Sequence, residues 1–193
     1  QYDSLPSSRF DPEMADPAVK LRASARPIWL EESGDENPTS NQPASDPAVP
    51  GELSFQTIRE LGQRLRAKQT TSVQLTEHCL KALEEKNPTL NCVVTLTKDL
   101  ALKQAERADK ELASGHDRGP LHGIPWGAKD LISVTGYPTT WGATQFREQQ
   151  FVTDARVAQR LDEAGAVLVA KLSLGALAMG DKWFNGQTKN PWN

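Results

Sequence analysis

Lys129 follows directly on the small, largely apolar string Ile124-Pro125-Trp126-Gly127-Ala128, and Asp130 follows it. That string is too broken by glycine and proline for a helix and reads as a short strand with turns at both ends. A lysine at such a strand end points into the body or into a cleft, where it can do proton chemistry. To accept a proton near neutral pH, an amine must sit where burial disfavours its charged form, a differential of about 4 kcal/mol. Asp130 would hold the proton on if it touched Lys129, but successive strand side chains point to opposite faces. Spacing alone favours an ordinary surface lysine on a loop.

The other chemistry-bearing residues form no constellation. His78, His116 and His122 are scattered without the i, i+4 pairing of a zinc helix, so no metal site is expected. Cys79 and Cys92 are too far apart in sequence for a C-x-x-C knuckle and read as buried thiols. No cofactor motif stands out.

The elements that must position Lys129 are of two textures. Residues 1–50 carry Pro6, Pro12, Pro17, Pro27, Pro38, Pro43, Pro47 and Pro50 among Ser, Asp, Glu and Asn, which reads as a leader or extended arm. Within it, Ala25 to Leu30, with Ile28 and Trp29, could clip onto the main body. From residue 51 the pattern becomes regular. Ser54 is expected to cap a helix with Phe55, Ile58, Leu61 and Leu65 at helical spacing, ending near Gln69. Thr71 with Gln74 makes a capping-box start for a second helix, which buries Leu75, Cys79, Ala82 and Leu83, stops at Asn87-Pro88 and packs on the first as a hairpin.

Asn91 to Leu96 reads as a strand, and Thr97 as the cap of a third helix with Ala101, Ala105, Ala108 and Leu112 on one face. Thr153 and Asp154 start a further helix with Val157, Ala158, Leu161 and Ala164 inward. Gly165 closes it, and the fully apolar strand Ala166–Ala170 follows at once. A helix feeding a buried strand through so short a turn indicates an α/β sheet. Ser173 is expected to cap a short helix through Met179, and 181–193 shows no regular pattern.

Composition limits the function classes. Across 193 residues, 37% are apolar and 24% charged, with a formal net charge of -3, and no cluster of Lys and Arg has the density of a nucleic-acid footprint. No run of about 18 apolar residues is present, so no membrane span is expected. The start at Gln1 rather than Met suggests removal of upstream sequence, and export after signal cleavage is the expectation, with a cytoplasmic location as the alternative.

The blocks LHGIPWGAKD (Leu121 to Asp130), Thr139-Thr140-Trp141-Gly142, Asp154-Ala155-Arg156, Ala164-Gly165-Ala166, Ala170-Lys171-Leu172-Ser173, Ala178-Met179-Gly180 and Thr188-Lys189-Asn190-Pro191-Trp192-Asn193 stand in one order. In that order the chain resembles the amidase-signature enzymes, over about residues 52–193. That group includes bacterial amidases and the A subunit of glutamyl-tRNA amidotransferase. The resemblance implies an α/β fold with a mixed sheet flanked by helices, of which this chain holds the first part.

It also implies a Ser–cis-Ser–Lys triad in which Lys129 is the catalytic lysine. Met179 and Gly180 match a segment that lines the substrate's acyl side. Lys171 matches a family lysine expected to be structural, with a solvated or paired head. Leu172-Ser173 stands where relatives often have Thr-Asn, and Trp126, bulkier than the usual aliphatic residue, could reshape the wall beside Lys129.

Neither the bridging nor the nucleophilic serine is present, and Ser133 and Ser173 fall at positions the family does not use. The expectation is therefore an enzyme hydrolysing a small-molecule amide, inactive as this fragment, with both serines supplied by the rest of the polypeptide or a complementary chain. Carbamates and ureas are chemically close substrates, and a homo-oligomer is compatible. Two alternatives are a non-catalytic scaffold of the same fold and an A-type component of a tRNA-dependent amidotransferase.

Overall fold

The computed structural model describes residues 53–192. The Pro-rich arm at 1–50, with its clip at Ala25–Leu30, lies outside the described residues.

Four α-helices and a mixed sheet make up the described part: α1 (Ile58–Arg66), α2 (Ser72–Leu90), β1 (Val93–Leu96), α3 (Lys98–Ala113), β2 (Pro125–Lys129), α4 (Arg156–Glu163) and β3 (Val167–Leu172). The three strands lie in the order β1-β3-β2. β1 runs antiparallel to β3, and β2 runs parallel to it. Parallel neighbours require a crossover, and α4 lies on the one that carries the chain from β2 to β3. The mixed sheet flanked by helices is the expected α/β architecture.

β3 is central, and its apolar run Val167–Ala170 is buried from end to end, as a strand covered on both faces must be. Leu80 of α2, Ala101 and Ala105 of α3 and Val93 of β1 pack with Val167, Val169 and Ala170. Leu168 joins a second core with Ala128 of β2, Ala158 of α4 and Val134. The alanines of α3 let its backbone approach the sheet closely, and all three on that face are buried.

Several expected boundaries move, each for a local reason. α1 is capped by Thr57, not Ser54: Thr57 and Glu60 form a reciprocal capping box, whereas the Ser54 hydroxyl pairs with His78 Nε2 at 2.8 Å. The helix ends at Arg66, and Phe55, 91% exposed, is not part of the core. The Thr71–Gln74 box opens α2 as expected. The helix does not stop at Asn87-Pro88 but runs through Pro88 to Leu90. A proline this near the end removes one ladder donor only, and the turn is closed instead by Asn91 in the left-handed region and by Asn87 Oδ1, which accepts from the N–H groups of Cys92 and Val93. α2 packs mainly on α3 rather than forming a hairpin with α1, and α1 joins through a small core of Leu65, Leu75 and Ile124.

Thr97 precedes α3 but does not cap it; its hydroxyl donates to Leu168 O at 2.7 Å and stitches the helix to β3. α4 begins at Arg156, and Asp154 does not cap it because its carboxylate accepts from the Thr135 N–H; Ala158 is buried, but Val157 is 47% exposed. After β3 the expected helix shrinks to a single 3-10 turn, Ala176–Ala178. The Ser173 hydroxyl contacts Thr188 Oγ1 at 2.6 Å instead of capping. The tail does contain regular structure, a two-stranded hairpin of β4 (Lys182–Trp183) and β5 (Gly186–Gln187).

Candidate active site

Lys129 is the last residue of β2, paired in parallel register with Leu172 at the end of β3. It therefore stands at the carboxyl end of two adjacent parallel strands, the edge of an α/β sheet where ligands are generally bound. Strand alternation holds: Ala128 and Asp130 are buried, and Lys129 between them is exposed. The dry enclosure expected from Ile124–Ala128 is thus not built by the described residues. Ile124 and Ala128 are themselves buried in cores of the fold, and Trp126 packs in the same core as Ala128 rather than walling Lys129.

Asp130 is separated from Lys129 as strand geometry requires, and its partner is Lys171. Both side chains are fully buried, with Nζ 2.7 Å from Oδ1. Nζ also donates to Pro138 O at 2.9 Å and to Thr139 Oγ1 at 3.0 Å. Asp130 Oδ2 accepts from the Thr140 N–H at 3.0 Å and from the Thr140 hydroxyl. Lys171 thus has a paired head, not a solvated one, and every atom of the pair that needs a partner has one nearby, the condition for a charge to be tolerated in an interior.

The same end of the sheet carries the segment of Met179 and Gly180. The Trp141 N–H donates to Asp130 O at 3.1 Å, and Trp141 O accepts from the Leu177 N–H at 2.7 Å. That bond links the Asp130 turn to the 3-10 turn before Met179. Leu177 and Ala178 both have positive φ, 54° and 65°, an uncommon backbone state for residues with a side chain. Two glycines make the approach possible: a Cβ on Gly142 (φ +68°) would lie 2.3 Å from Leu174 O, and one on Gly175 2.0 Å from Met179 O. Met179 itself is 77% exposed, with Gly180 also exposed. Leu131, Trp141, Leu174, Leu177 and Ala178 line a small open pocket of about 220 Å³ beside it.

Other nucleophiles are held elsewhere. Ser133 donates to Thr153 O at 3.1 Å. Cys79 and Cys92 are free thiols, each pushed up by burial, which leaves little thiolate to react.

Sequence reasoning named Lys129 and the Met179 segment as candidates and did not anticipate the Asp130–Lys171–Thr140 network that lies between them. The signal was there: a lysine inside the apolar run of β3 needs a buried anion, and Asp130, alternating inward from Lys129, is the nearest candidate on the neighbouring strand.

Known proteins resemble this chain over most of the described residues. The amidase family profile matches residues 74–193. The A subunit of glutamyl-tRNA(Gln) amidotransferase from Methylococcus capsulatus is 39% identical over 140 residues, 71% of this chain and 29% of that protein. Its counterpart from Carboxydothermus hydrogenoformans is 34% identical over 145 residues, 74% of this chain and 30% of that protein. Among solved structures, the native peptide amidase from Stenotrophomonas maltophilia superposes with a TM-score of 0.67 at 32% identity, covering 73% of this chain and 31% of that one. The chain thus spans less than a third of the length of these relatives. With the family profile matched over residues 74–193, more than half of its length, the chain belongs to the amidase family.

Proposed function

We propose that this chain is the lysine-bearing part of an amide-hydrolysing Ser–cis-Ser–Lys enzyme, with Lys129 as the base and both serines supplied by sequence outside it. The observation that supports the reading is the placement of Lys129: exposed at the carboxyl end of β2, on a backbone fixed by β3 on one side and by buried Asp130 on the other. An exposed amine here is available to be enclosed by further chain bearing the serines.

In the reaction the nucleophilic serine oxygen bonds to the amide carbon as its proton passes to the bridging serine, whose own proton passes to neutral Lys129 Nζ. The C–N bond then breaks, and the leaving amine takes the proton back along the same relay. Water, deprotonated by that route, hydrolyses the acyl-enzyme and restores the nucleophile. Backbone N–H groups beside the nucleophile hold the oxyanion. Met179, with its exposed and adaptable thioether, and Gly180 line the acyl side of the substrate. The substrate is a small-molecule amide, with carbamates chemically within reach, and the fragment alone is inactive. The same reading divides the chain into an arm at 1–50 and an amidase domain from 51 onward.

A second reading is favoured by the relatives at 34% and 39% identity: an A-type component that works with complementary chains in tRNA-dependent amidotransfer. Amide hydrolysis by the complete polypeptide without tRNA or partner chains supports the first reading, and strict dependence on them the second.

The decisive test of the base is Lys129→Ala in the complete polypeptide. Turnover is expected to fall by a factor of about 100 to 10,000 in a variant that still unfolds cooperatively. Near-normal turnover in that variant removes Lys129 from the mechanism.

A further inference from the structure

We infer that the buried Lys171–Asp130 pair is a positioning device for the Lys129 amine. The inference rests on Lys129 being the base, as proposed above. Asp130 is the residue next to Lys129, and every polar group it has is engaged. Its N–H donates to Leu172 O at 2.8 Å, and its C=O accepts from Trp141. Its carboxylate meets Lys171 on one oxygen and Thr140 on the other. The Lys129 carbonyl is tied as well, accepting from the N–H groups of Leu131 and Ile132 at 2.8 and 2.9 Å. The backbone on the carboxyl side of Lys129 is therefore gripped from three directions, while its own side chain is left exposed.

Stability alone is a poor reason for such a pair. A buried ion pair is often no more stabilising than apolar residues of the same volume, because both charges lose their hydration. What an apolar pair cannot do is fix direction. Lys171 Nζ reaches Asp130 on the β2 turn and Pro138 O and Thr139 Oγ1 on the following loop, so one cation ties together the end of β3, the turn after Lys129 and residues 138–140. From there Trp141 carries the brace to Leu177, at the Met179 segment. Proton transfer between an amine and a hydroxyl needs the two within hydrogen-bond reach, and a misplacement of about 1 Å can lower a rate about 100-fold. Lys171 and Asp130 touch no substrate and act through Lys129.

The test is a double-mutant cycle in the complete enzyme, read as steady-state kcat and KM per folded molecule. Lys171→Met is expected to lower kcat about 100-fold with KM within about twofold. In a Lys129→Ala background the same substitution should change the residual rate by less than about twofold, because its route to the chemistry is gone. An unchanged kcat for Lys171→Met overturns the inference. So does an equal loss in both backgrounds, the signature of a purely structural role. Should Lys171→Met fail to fold, Thr140→Val removes one hydroxyl from Asp130 and leaves the ion pair; a kcat loss of about fivefold is expected, absent in the Lys129→Ala background, and no loss overturns the inference. Full turnover in Lys129→Ala is read from that variant alone and would sink the base assignment itself.

Discussion

Two polar clusters flank β2, one before its first residue and one after its last, and they are built on different principles. At the amino end, buried His122 lies 3.1 Å from Glu111 Oε2 and accepts from the Arg118 N–H at Nδ1. Around it Arg118 pairs with Glu111, and Arg66 pairs with Asp117 at 2.7 Å. These groups tie α1, α3 and the loop before β2 together, and the carbonyls of Asp162 and Glu163 at the end of α4 join through Arg118. Each charge has several partners, and most have water within reach. At the carboxyl end, one cation meets one anion with no exposure at all. The first arrangement absorbs the loss of a member. The second leaves an orphaned charge in the interior, so the two ends of β2 should differ in how much the loss of one partner costs.

The largest expected effect tests that contrast directly. Asp130→Ala strands the Lys171 ammonium and should destabilise the protein by about 3–5 kcal/mol. Arg66→Ala breaks a pair whose side chains are 36% and 39% exposed, and should cost about 0–1 kcal/mol. Urea midpoints at constant m-value measure both, and equal losses would erase the distinction between the two ends. A smaller effect sharpens it. Adding Asp130→Asn to Lys171→Met removes the stranded carboxylate while keeping an oxygen for the Thr140 N–H, and should restore about 1–3 kcal/mol relative to Lys171→Met alone. Turnover of the complete enzyme should stay low in that double variant. If turnover returned with stability, the carboxyl-end pair would be a stabiliser like its counterpart at the amino end.

The two ends also differ in how far the sequence discloses them. Local signals survive: the Thr71–Gln74 capping box, the alanine face of α3 and the apolar run of β3 all depend on neighbours in sequence, and each forms where expected. Signals with a local competitor fail. Ser54 has the chemistry of a cap, but Thr57 has Glu60 three residues on to reciprocate, and Pro88 reads as a stop although so late a proline loses a single bond. Thr97 shows the third kind of failure, a residue at the right position whose hydroxyl is claimed by Leu168, 71 residues away. Lys171 belongs with it. Its partner Asp130 is 41 positions back in the chain, and only the parallel register of β2 and β3 brings the two together. Lys129 is singled out by the order of the motif blocks around it, whereas a lysine in an apolar strand signals that an anion is needed without saying which one the sheet register supplies.

The smallest expected effect is a pH dependence at the amino end. Burial pushes His122 below its ordinary value of 6.5; Arg118 acts in the same sense, while Glu111 and Asp117 oppose it. The folded protein therefore keeps the ring neutral at a pH where the unfolded chain has already taken up a proton. Because the unfolded state binds more protons, stability contributed by the neutral ring is present above 6.5 and declines as pH falls below it. The facing carboxylates act lower. Glu111 is held down first by its hydrogen bond from Arg118, and Asp117, although burial pushes it up, ends below its ordinary value through Arg66 and the Gly119 N–H. Their contributions are lost only below their ordinary values of 4.5 and 3.8. Between 4.5 and 6.5 His122 should therefore contribute to the slope of stability against pH. His122→Asn keeps an acceptor for the Arg118 N–H and removes the titration, so its urea midpoint should vary less across that window than the parent's, whatever its absolute stability. Parallel curves would mean that the amino-end cluster does not hold His122 neutral.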